Sequence, residues 1–193
     1  MIIDKNIFGG LSLIAALISY VFYFSSIAKG NTKPHIFSWL TWGILTAIAF
    51  FAQYKNHAGA GAWATCSISF FCFLVAFIAL WKGEKEIKLS DIITFTSALM
   101  IIPIWYYTNN DLNAVILIIF IDMLGGYYPT FRKSYKKPNE ENLTTYFIGI
   151  LQIMLSLIAI ENYILVNILY PVFVMIANLA FVIMVLWRRK NNL

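Results

Sequence analysis

The sequence predicts an all-α membrane protein in which seven transmembrane helices form two parallel three-helix bundles joined by a linker helix (3+1+3). Three observations predict this fold. Apolar runs long enough to cross a bilayer recur along the 193 residues, basic residues collect on one side of those runs, and the second half of the chain repeats the pattern of the first. Only 12% of the residues are charged and 61% are hydrophobic, whereas a soluble domain carries about 25% charged residues. Residues 1–193 are therefore predicted to form a single membrane domain.

Seven spans follow from reading the apolar runs between turn-forming residues. They cover 7–28, 36–53, 62–81, 91–107, 112–130, 143–160 and 164–187. The connections are short, and several contain residues typical of turns, as in GNTKP at 30–34 and KKPNEEN at 136–142. Because the opening MIIDKN lacks the basic region of a cleavable signal, we expect the first span to be retained.

The basic residues predict the orientation in the membrane. Twelve of the 14 Lys and Arg residues lie in loops on the same side of the membrane as the C-terminus, and only Lys5 and Lys55 lie on the other side. The twelve are Lys29, Lys33, Lys82, Lys85, Lys88, Arg132, Lys133, Lys136, Lys137, Arg188, Arg189 and Lys190. Since Lys and Arg accumulate in cytoplasmic loops, the N-terminus is predicted outside and the C-terminus inside. The net charge of +5 is then a topology signal, and nucleic acid is not needed as a partner. A substrate or lipid-headgroup site is the alternative interpretation of the basic group after the fifth span.

An internal duplication is indicated by sliding the chain against itself by 106 positions. This offset aligns GIL at 43–45 with GIL at 149–151, Asn56 with Asn162, and Trp81-Lys82 with Trp187-Arg188. The order of spans and basic loops also repeats, so repeat 1 covers 7–81, the linker helix 91–107 and repeat 2 112–187. Both repeats have the same orientation in the membrane. Parallel repeats are one of the architectures of transporters, with the substrate site near the midplane between the halves.

The stretch YPTFRKSYKKPNEENLTTYF (128–147) resembles the signature of the PQ-loop/SWEET superfamily. Pro129 stands at the proline position of that signature, Thr130 replaces its glutamine, and Leu143-Thr144 fits the entry to the next helix. In the first repeat, YFSSIAKGNTKPHIFSW (23–39) keeps the basic loop, but Tyr23-Phe24 replaces the Pro-Gln pair. The resemblance implies a 3+1+3 topology and a role in moving sugars, amino acids or vitamins. Some members of the superfamily bind cargo without transporting it.

Asp122 is the only acidic residue well inside a predicted span. A carboxyl in lipid is costly, and burial favours its neutral, protonated form. One interpretation is a proton-coupling site or a hydrogen-bonding group for a substrate. The alternative is a structural carboxyl that ties the fifth helix to a neighbouring Asn, Gln or Tyr.

Gly125, Gly126 and Pro129 follow Asp122 on or near one face of the fifth helix. Glycines allow a close approach between helices and proline allows a kink, so these residues are predicted to form a gating hinge. Tyr23, at the corresponding position of the first repeat, is assigned the same role by the resemblance. Tight packing without gating is the alternative.

Polar and aromatic residues form stripes on the other spans. Gln152 and Ser156 share a face of the sixth span, Asn178 lies on the seventh, and Cys72 is aligned with Asn178 by the repeat offset. Buried carboxamides need hydrogen-bond partners, and aromatic rings suit a sugar or a flat heterocycle, which makes Trp39 and Trp42 candidates as well. The substrate-binding or proton-coupling residues are therefore predicted to be Asp122, Asn178, Gln152, Ser156, Cys72, Trp42 and Trp39. Ser and Thr also serve as helix-packing residues, which is the alternative for each alone.

Other classes of membrane protein fit less well. The sequence has no HExxH or GxSxG motif and no second aspartate within a span, so we do not expect an enzyme. Two separated cysteines and two histidines on opposite sides predict no metal site, and no cofactor is expected. The prediction is a carrier that moves a small polar solute by alternating access. Its predicted location is the cell membrane, specifically a bacterial cytoplasmic membrane. The alternative is a receptor or sensor of the same fold. The expected partners are the solute and the lipid bilayer, and assembly as a homo-oligomer is left open.

Overall fold

The computed structural model describes residues 4–136, 138–140 and 143–191. The described residues form helices and short connections, with no strand among them. The long helices are α1 (Lys5–Ala28), α2 (Ile36–Lys55), α3 (Trp63–Lys82), α4 (Leu89–Thr108), α5 (Asp111–Lys136), α6 (Leu143–Ala159) and α7 (Leu165–Asn191). Short 3-10 turns cover Gly59–Ala62, directly before α3, and Pro138–Glu140.

Six of these helices are long and apolar enough to cross a membrane, and α6 is a shorter apolar helix of 17 residues. At 1.5 Å per residue, α6 is about 25 Å long, slightly less than the thickness of a hydrocarbon core of about 30 Å. Large apolar side chains lie exposed on the outer faces, as at Val21, Phe22 and Ile183. Lipid is the medium that suits such surfaces. The helices confirm, by length and composition, the predicted class of all-α membrane protein.

Local side-chain chemistry explains where several helices begin. The Asp4 carboxylate accepts a hydrogen bond from the backbone N–H of Asn6 and caps α1. Asn110 caps α5 in the same way by accepting from the N–H of Asn113 at 3.0 Å. Asp91 reaches back to the N–H of Lys88 at 2.7 Å, which closes the first turn of α4.

The third helix of each predicted repeat packs against the other two. Helix α3 contacts α1 and α2, and α7 contacts α5 and α6. Between these two groups, α1 packs against α6 and α2 packs against α5, while α4 lies against α2 and α5. A buried apolar cluster around Leu45, Ile118 and Tyr170 joins α2, α5 and α7.

Helix α5 extends beyond the span predicted at 112–130, and its geometry changes at the glycines of the predicted gating hinge. A π-helical turn interrupts it at Met123–Tyr127, directly after Asp122, and the helix then continues to Lys136. This turn contains Gly125 and Gly126 and lies before Pro129, whose missing N–H interrupts the helical hydrogen-bond ladder. The helix extends past residue 130 because no helix-breaking residue occurs between residue 130 and Pro138. Cations such as Lys136 are also favoured at a helix C-terminus. The predicted loop after the fifth span is therefore mostly helix.

Candidate functional site

A cavity of about 230 Å³ lies between the group α1–α3 and the group α5–α7. All six of these helices contribute to its wall. The described residues that line it are Tyr20, Trp39, Trp42, Thr46, Ala64, Thr65, Ile68, Cys72, Asp122, Gly126, Tyr127, Thr130, Tyr146, Ile153, Ser156, Tyr170, Pro171, Val174 and Asn178. The wall thus combines aromatic rings with hydroxyl, amide and carboxyl groups, as in sites that bind small molecules.

Asp122 lies in the wall of this cavity with only 3% of its surface exposed. Each carboxyl oxygen accepts one hydrogen bond from a different helix. The indole Nε1–H of Trp42 on α2 donates to Oδ1 at 3.1 Å, and the hydroxyl of Tyr170 on α7 donates to Oδ2 at 3.2 Å. Among the described residues, no ion pair involves Asp122. The carboxyl therefore connects the two helix groups through neutral donors alone.

A second polar contact lies on α5 and α7. The hydroxyl of Tyr127, in the π-helical turn, donates to Oδ1 of Asn178 at 3.1 Å. Asn178 is 9% exposed and lines the cavity. Because Tyr127 engages the amide oxygen, the Nδ2 group is the part of Asn178 suited to donate to a ligand.

Aromatic rings build the wall on the side of α1 and α2. Trp39 and Trp42 meet edge to face with centroids 5.4 Å apart. Tyr20 stacks on Phe71 at 4.3 Å, and its hydroxyl lies 3.7 Å from the sulfur of Cys72. Tyr23 packs behind Trp39 with a centroid distance of 4.9 Å. Tyr23 thus supports Trp39 at the cavity without lining the cavity itself.

One end of the cavity is closed where the connection between α2 and α3 meets the connection between α6 and α7. Ser156 donates its hydroxyl hydrogen to the carbonyl of Gly61 at 2.8 Å. The backbone N–H of Glu161 donates to the carbonyl of Ala58 at 3.0 Å. A Cβ at residue 61 would lie 2.7 Å from the Cα of Ile160, so the two backbones touch there. The close approach requires glycine.

Three carboxamides extend this closed end. Asn162 and Asn167 both donate from Nδ2 to the carbonyl of Asn56, at 3.2 and 2.9 Å. Gln53 in turn donates from Nε2 to the carbonyl of Asn167 at 2.9 Å. The Lys5 ammonium also donates to the carbonyl of Ile160. We call these contacts, made by Lys5, Gln53, Asn56, Ala58, Gly61, Ser156, Ile160, Glu161, Asn162 and Asn167, the N-side seal, because they lie at the end of the bundle where α1 begins.

Exposure of the lining changes along the cavity. Near the N-side seal, Ala64, Thr65 and Ser156 are between 2% and 5% exposed. Towards the other end, Trp39 and Thr130 are partly exposed. The lining is therefore more deeply buried near the N-side seal than towards the C-terminal side.

The structure brings most of the predicted site residues to one cavity. Those that line it are Asp122, Asn178, Ser156, Cys72, Trp42, Trp39 and Gly126. Gln152 is buried on α6 but is not among the described residues that line the cavity. Gly125 lines a neighbouring smaller cavity, Tyr23 lies behind Trp39, and the side chain of Pro129 lies outside the described part of the chain.

The sequence analysis named tyrosine as a possible partner of Asp122 but did not predict which tyrosines line the site. Tyr20, Tyr127, Tyr146 and Tyr170 all line the cavity, and two of them donate to Asp122 or Asn178. Tyrosine is common as an anchor at the membrane interface, so a tyrosine in a span is not recognised from sequence as a buried site residue. The signal available was position: Tyr127 is five residues from Asp122, and Tyr170 precedes the proline of the polar stripe on α7.

No group of three or more His, Cys, Asp or Glu side chains suited to hold a metal ion occurs among the described residues. Comparison of the chain with protein-family models, curated proteins and solved structures found no match.

Proposed function

We propose that the protein is a membrane transporter that moves a small polar solute by alternating access through the 230 Å³ cavity. The observation that carries this proposal is the cavity between two helix groups, polar on its wall and shut at one end by loop-to-loop hydrogen bonds. A carrier needs a central site that can be closed on either side, and this arrangement supplies the site and one closure. The cell membrane, bacterial in the simplest case, is the proposed location.

The helix packing supports the 3+1+3 arrangement as part of this proposal. Each group places its third helix between the other two, and α1 meets α6 as α5 meets α2, which is the pattern expected of two repeats related by a pseudo-twofold axis. Asn56 and Asn162, which the repeat offset aligns, meet each other in the N-side seal at 3.2 Å. Cys72 and Asn178, another aligned pair, both line the cavity.

The sidedness follows from the charges. With the twelve basic residues of the C-terminal side in the cytoplasm, the N-side seal faces outside. The described conformation is then closed to the outside and more accessible from the inside. Transport requires a second conformation in which the hydrogen bonds of the N-side seal separate and the inner ends of the helices close.

The π-helical turn of α5 is suited to that change. It lies between Asp122 and the basic end of α5, and it contains two glycines without side chains to hold the backbone. π-turns inside α-helices are frequent at functional sites. Asp122 binds a proton or the solute, and Asn178 hydrogen-bonds the solute. The aromatic wall with Trp39 and Trp42 favours a sugar, an amino acid or a vitamin-like molecule.

The test is a thermal-shift screen of the purified protein against sugars, amino acids, nucleosides and vitamins, at an acidic and a neutral pH. A specific binder stabilises the folded state by about 2.7 kcal/mol at a hundredfold excess over its dissociation constant. The solute that binds is then loaded into proteoliposomes, and exchange with labelled solute outside is measured. Asp122→Asn is the site variant, and Lys55→Met, on the exposed surface, is its control.

The two outcomes separate the candidate functions. Solute exchange across the membrane, if it is weaker in Asp122→Asn than in the parent protein, supports a transporter. Neither enzymatic activity nor a cofactor is then required to explain the site. Saturable binding with no exchange in either direction would replace the proposal with a receptor or sensor.

A further inference from the structure

A second, smaller cavity lies beside Asp122 and is lined in part by α4, which does not line the solute cavity. Its volume of about 20 Å³ is enough for about one water molecule. It lies between α2, α4 and α5 and shares Asp122, Trp42 and Gly126 with the larger cavity. The residues that line it are Phe37, Ser38, Thr41, Trp42, Leu45, Asp91, Thr94, Asp122, Gly125 and Gly126. Several polar side chains therefore surround a space of the size of a water molecule.

His35 stands at the outer end of this cavity. Its side chain is 20% exposed, so it reaches the aqueous phase on the C-terminal side. Its Nε2 lies 3.1 Å from the carbonyl of Glu86 and 3.4 Å from the Asp91 carboxylate. Since a carbonyl only accepts hydrogen bonds, Nε2 carries a hydrogen, and Nδ1 is the ring nitrogen that faces Ser38. Nδ1 lies 3.2 Å from Oγ of Ser38, which lines the small cavity.

We propose that His35, Ser38 and a water molecule in the small cavity conduct a proton between the C-terminal side and Asp122, along a route separate from the solute cavity. The Nδ1–H of the imidazolium gives its proton to the hydroxyl of Ser38, which releases its own hydrogen to the water. The water passes a proton to the Asp122 carboxylate and so returns to neutral H2O. His35 is left neutral and takes its next proton from solvent.

The charges around each end suit this direction of transfer. Asp91 on α4 faces the His35 ring, with its carboxylate 3.4 Å from Nε2. The backbone N–H of Lys88 donates to that same carboxylate, and the Lys88 ammonium pairs with Glu86 at 3.6 Å. At the inner end, the groups that contact Asp122 are the neutral donors of Trp42 and Tyr170, with Tyr127 and Cys72 across the larger cavity. Asp122 is thus the acceptor at the inner end of the route.

This proposal deepens the proposed function, since it rests on Asp122 as the proton-coupling group. It places the proton and the solute in different cavities, and of the residues that the two cavities share, Asp122, Trp42 and Gly126, only Asp122 carries a titratable group. A proton can then arrive while the solute occupies the larger cavity, which a single shared pathway would prevent.

Two threonines of α2 provide a matched test. Thr41 and Thr46 are buried to a similar degree, at 5% and 4% exposed. Thr41 lines only the small cavity, and Thr46 lines only the large one. Thr41→Val therefore removes a hydroxyl from the wall of the small cavity that would hold the proton-carrying water, and Thr46→Val removes one from the wall of the solute cavity, with the same change of side chain.

The measurement is time-resolved infrared absorption of the carboxyl band of Asp122 after a pH jump, on the reconstituted full chain without solute. The band is assigned by its loss in Asp122→Asn. We expect Thr41→Val to slow the protonation of Asp122 about tenfold, because the water in the small cavity loses one of the polar partners that hold it there. Thr46→Val is expected to leave the rate unchanged. Equal rates in both variants, or slowing by Thr46→Val instead, would overturn the route.

The two histidines provide an independent pair. His35→Asn is expected to slow the same step, and Asn is a favourable residue at the N-terminal cap that His35 occupies before α2. His57→Asn is the control, because His57 has a positive φ of 56° that Asn tolerates and lies at the other end of α2. An unchanged rate in His35→Asn, or no titrating Asp122 band in the parent protein, would refute the proposal. Because this readout needs no solute, a failed route and a failed transporter are told apart.

Discussion

Gly61→Ala tests the N-side seal directly. A Cβ added at residue 61 would lie 2.5 Å from Cγ1 of Ile160, 2.7 Å from its Cα and 2.8 Å from its backbone nitrogen. Two of these three atoms are backbone, so the clash cannot be relieved by turning a side chain. The substitution must separate the connection before α3 from the end of α6, which weakens the Ser156 bond to the Gly61 carbonyl.

The size of the effect follows from the cost of overpacking, about 1–3 kcal/mol. If that cost falls on the conformation with a closed N-side seal and is relieved when the seal opens, the ratio of open to closed forms rises about 5- to 150-fold. The same substitution at Gly10 is the control, since a Cβ there meets nothing within 4 Å.

The assay uses the native Cys72, which lines the cavity and is 2% exposed. A membrane-impermeant maleimide is applied from the N-terminal side in a Cys66→Ala background, and the labelling rate of Cys72 is measured. We expect a faster rate in Gly61→Ala and the parent rate in Gly10→Ala. If Gly61→Ala labels no faster than the parent protein, or Gly10→Ala accelerates labelling equally, the N-side seal is not the closure of this cavity.

Three further changes test other parts of the structure. Asp122→Asn removes the titrating carboxyl, so solute exchange is expected to lose its dependence on pH in proteoliposomes; a retained pH dependence would assign the proton to another group. Tyr170→Phe removes one donor to Asp122, and thermal unfolding should show a loss of about 1 kcal/mol, whereas an unchanged midpoint would mean that this bond contributes nothing. Asn167→Ala removes the hydrogen bonds that Asn167 donates to the carbonyls of Asn56 and Asn162. The rate of Cys72 labelling from the N-terminal side should then rise about tenfold, which corresponds to a loss of roughly 1.4 kcal/mol from the closed form. An unchanged rate would place the closure elsewhere.

The class of fold could be predicted from the sequence because lipid imposes a strong and local constraint. Every stretch that crosses the bilayer must be apolar and must satisfy its own backbone hydrogen bonds, so spans are visible as helical apolar runs. Six such helices and a shorter apolar one occur in the part of the chain that the structure describes. Asp122 could be singled out for the same reason, since a carboxyl within an apolar run is conspicuous whatever it contacts.

The details of the site depend on tertiary contacts that leave no local pattern. Trp42 was predicted as a site residue but not as a donor to Asp122, and Tyr170 was not predicted at all, because both lie on different helices from Asp122. Gln152 follows the same helical stripe as Ser156, yet only Ser156 lines the cavity, because a stripe gives a face of a helix and not its neighbours. The π-helical turn at Met123–Tyr127 and the meeting of Gly61 with Ile160 also required the folded chain. The sequence by itself determined that helices pack in a membrane around a buried carboxyl. Only the tertiary structure decided which hydroxyls and indoles reach that carboxyl and which end of the cavity is shut, since both depend on contacts between residues far apart in the chain.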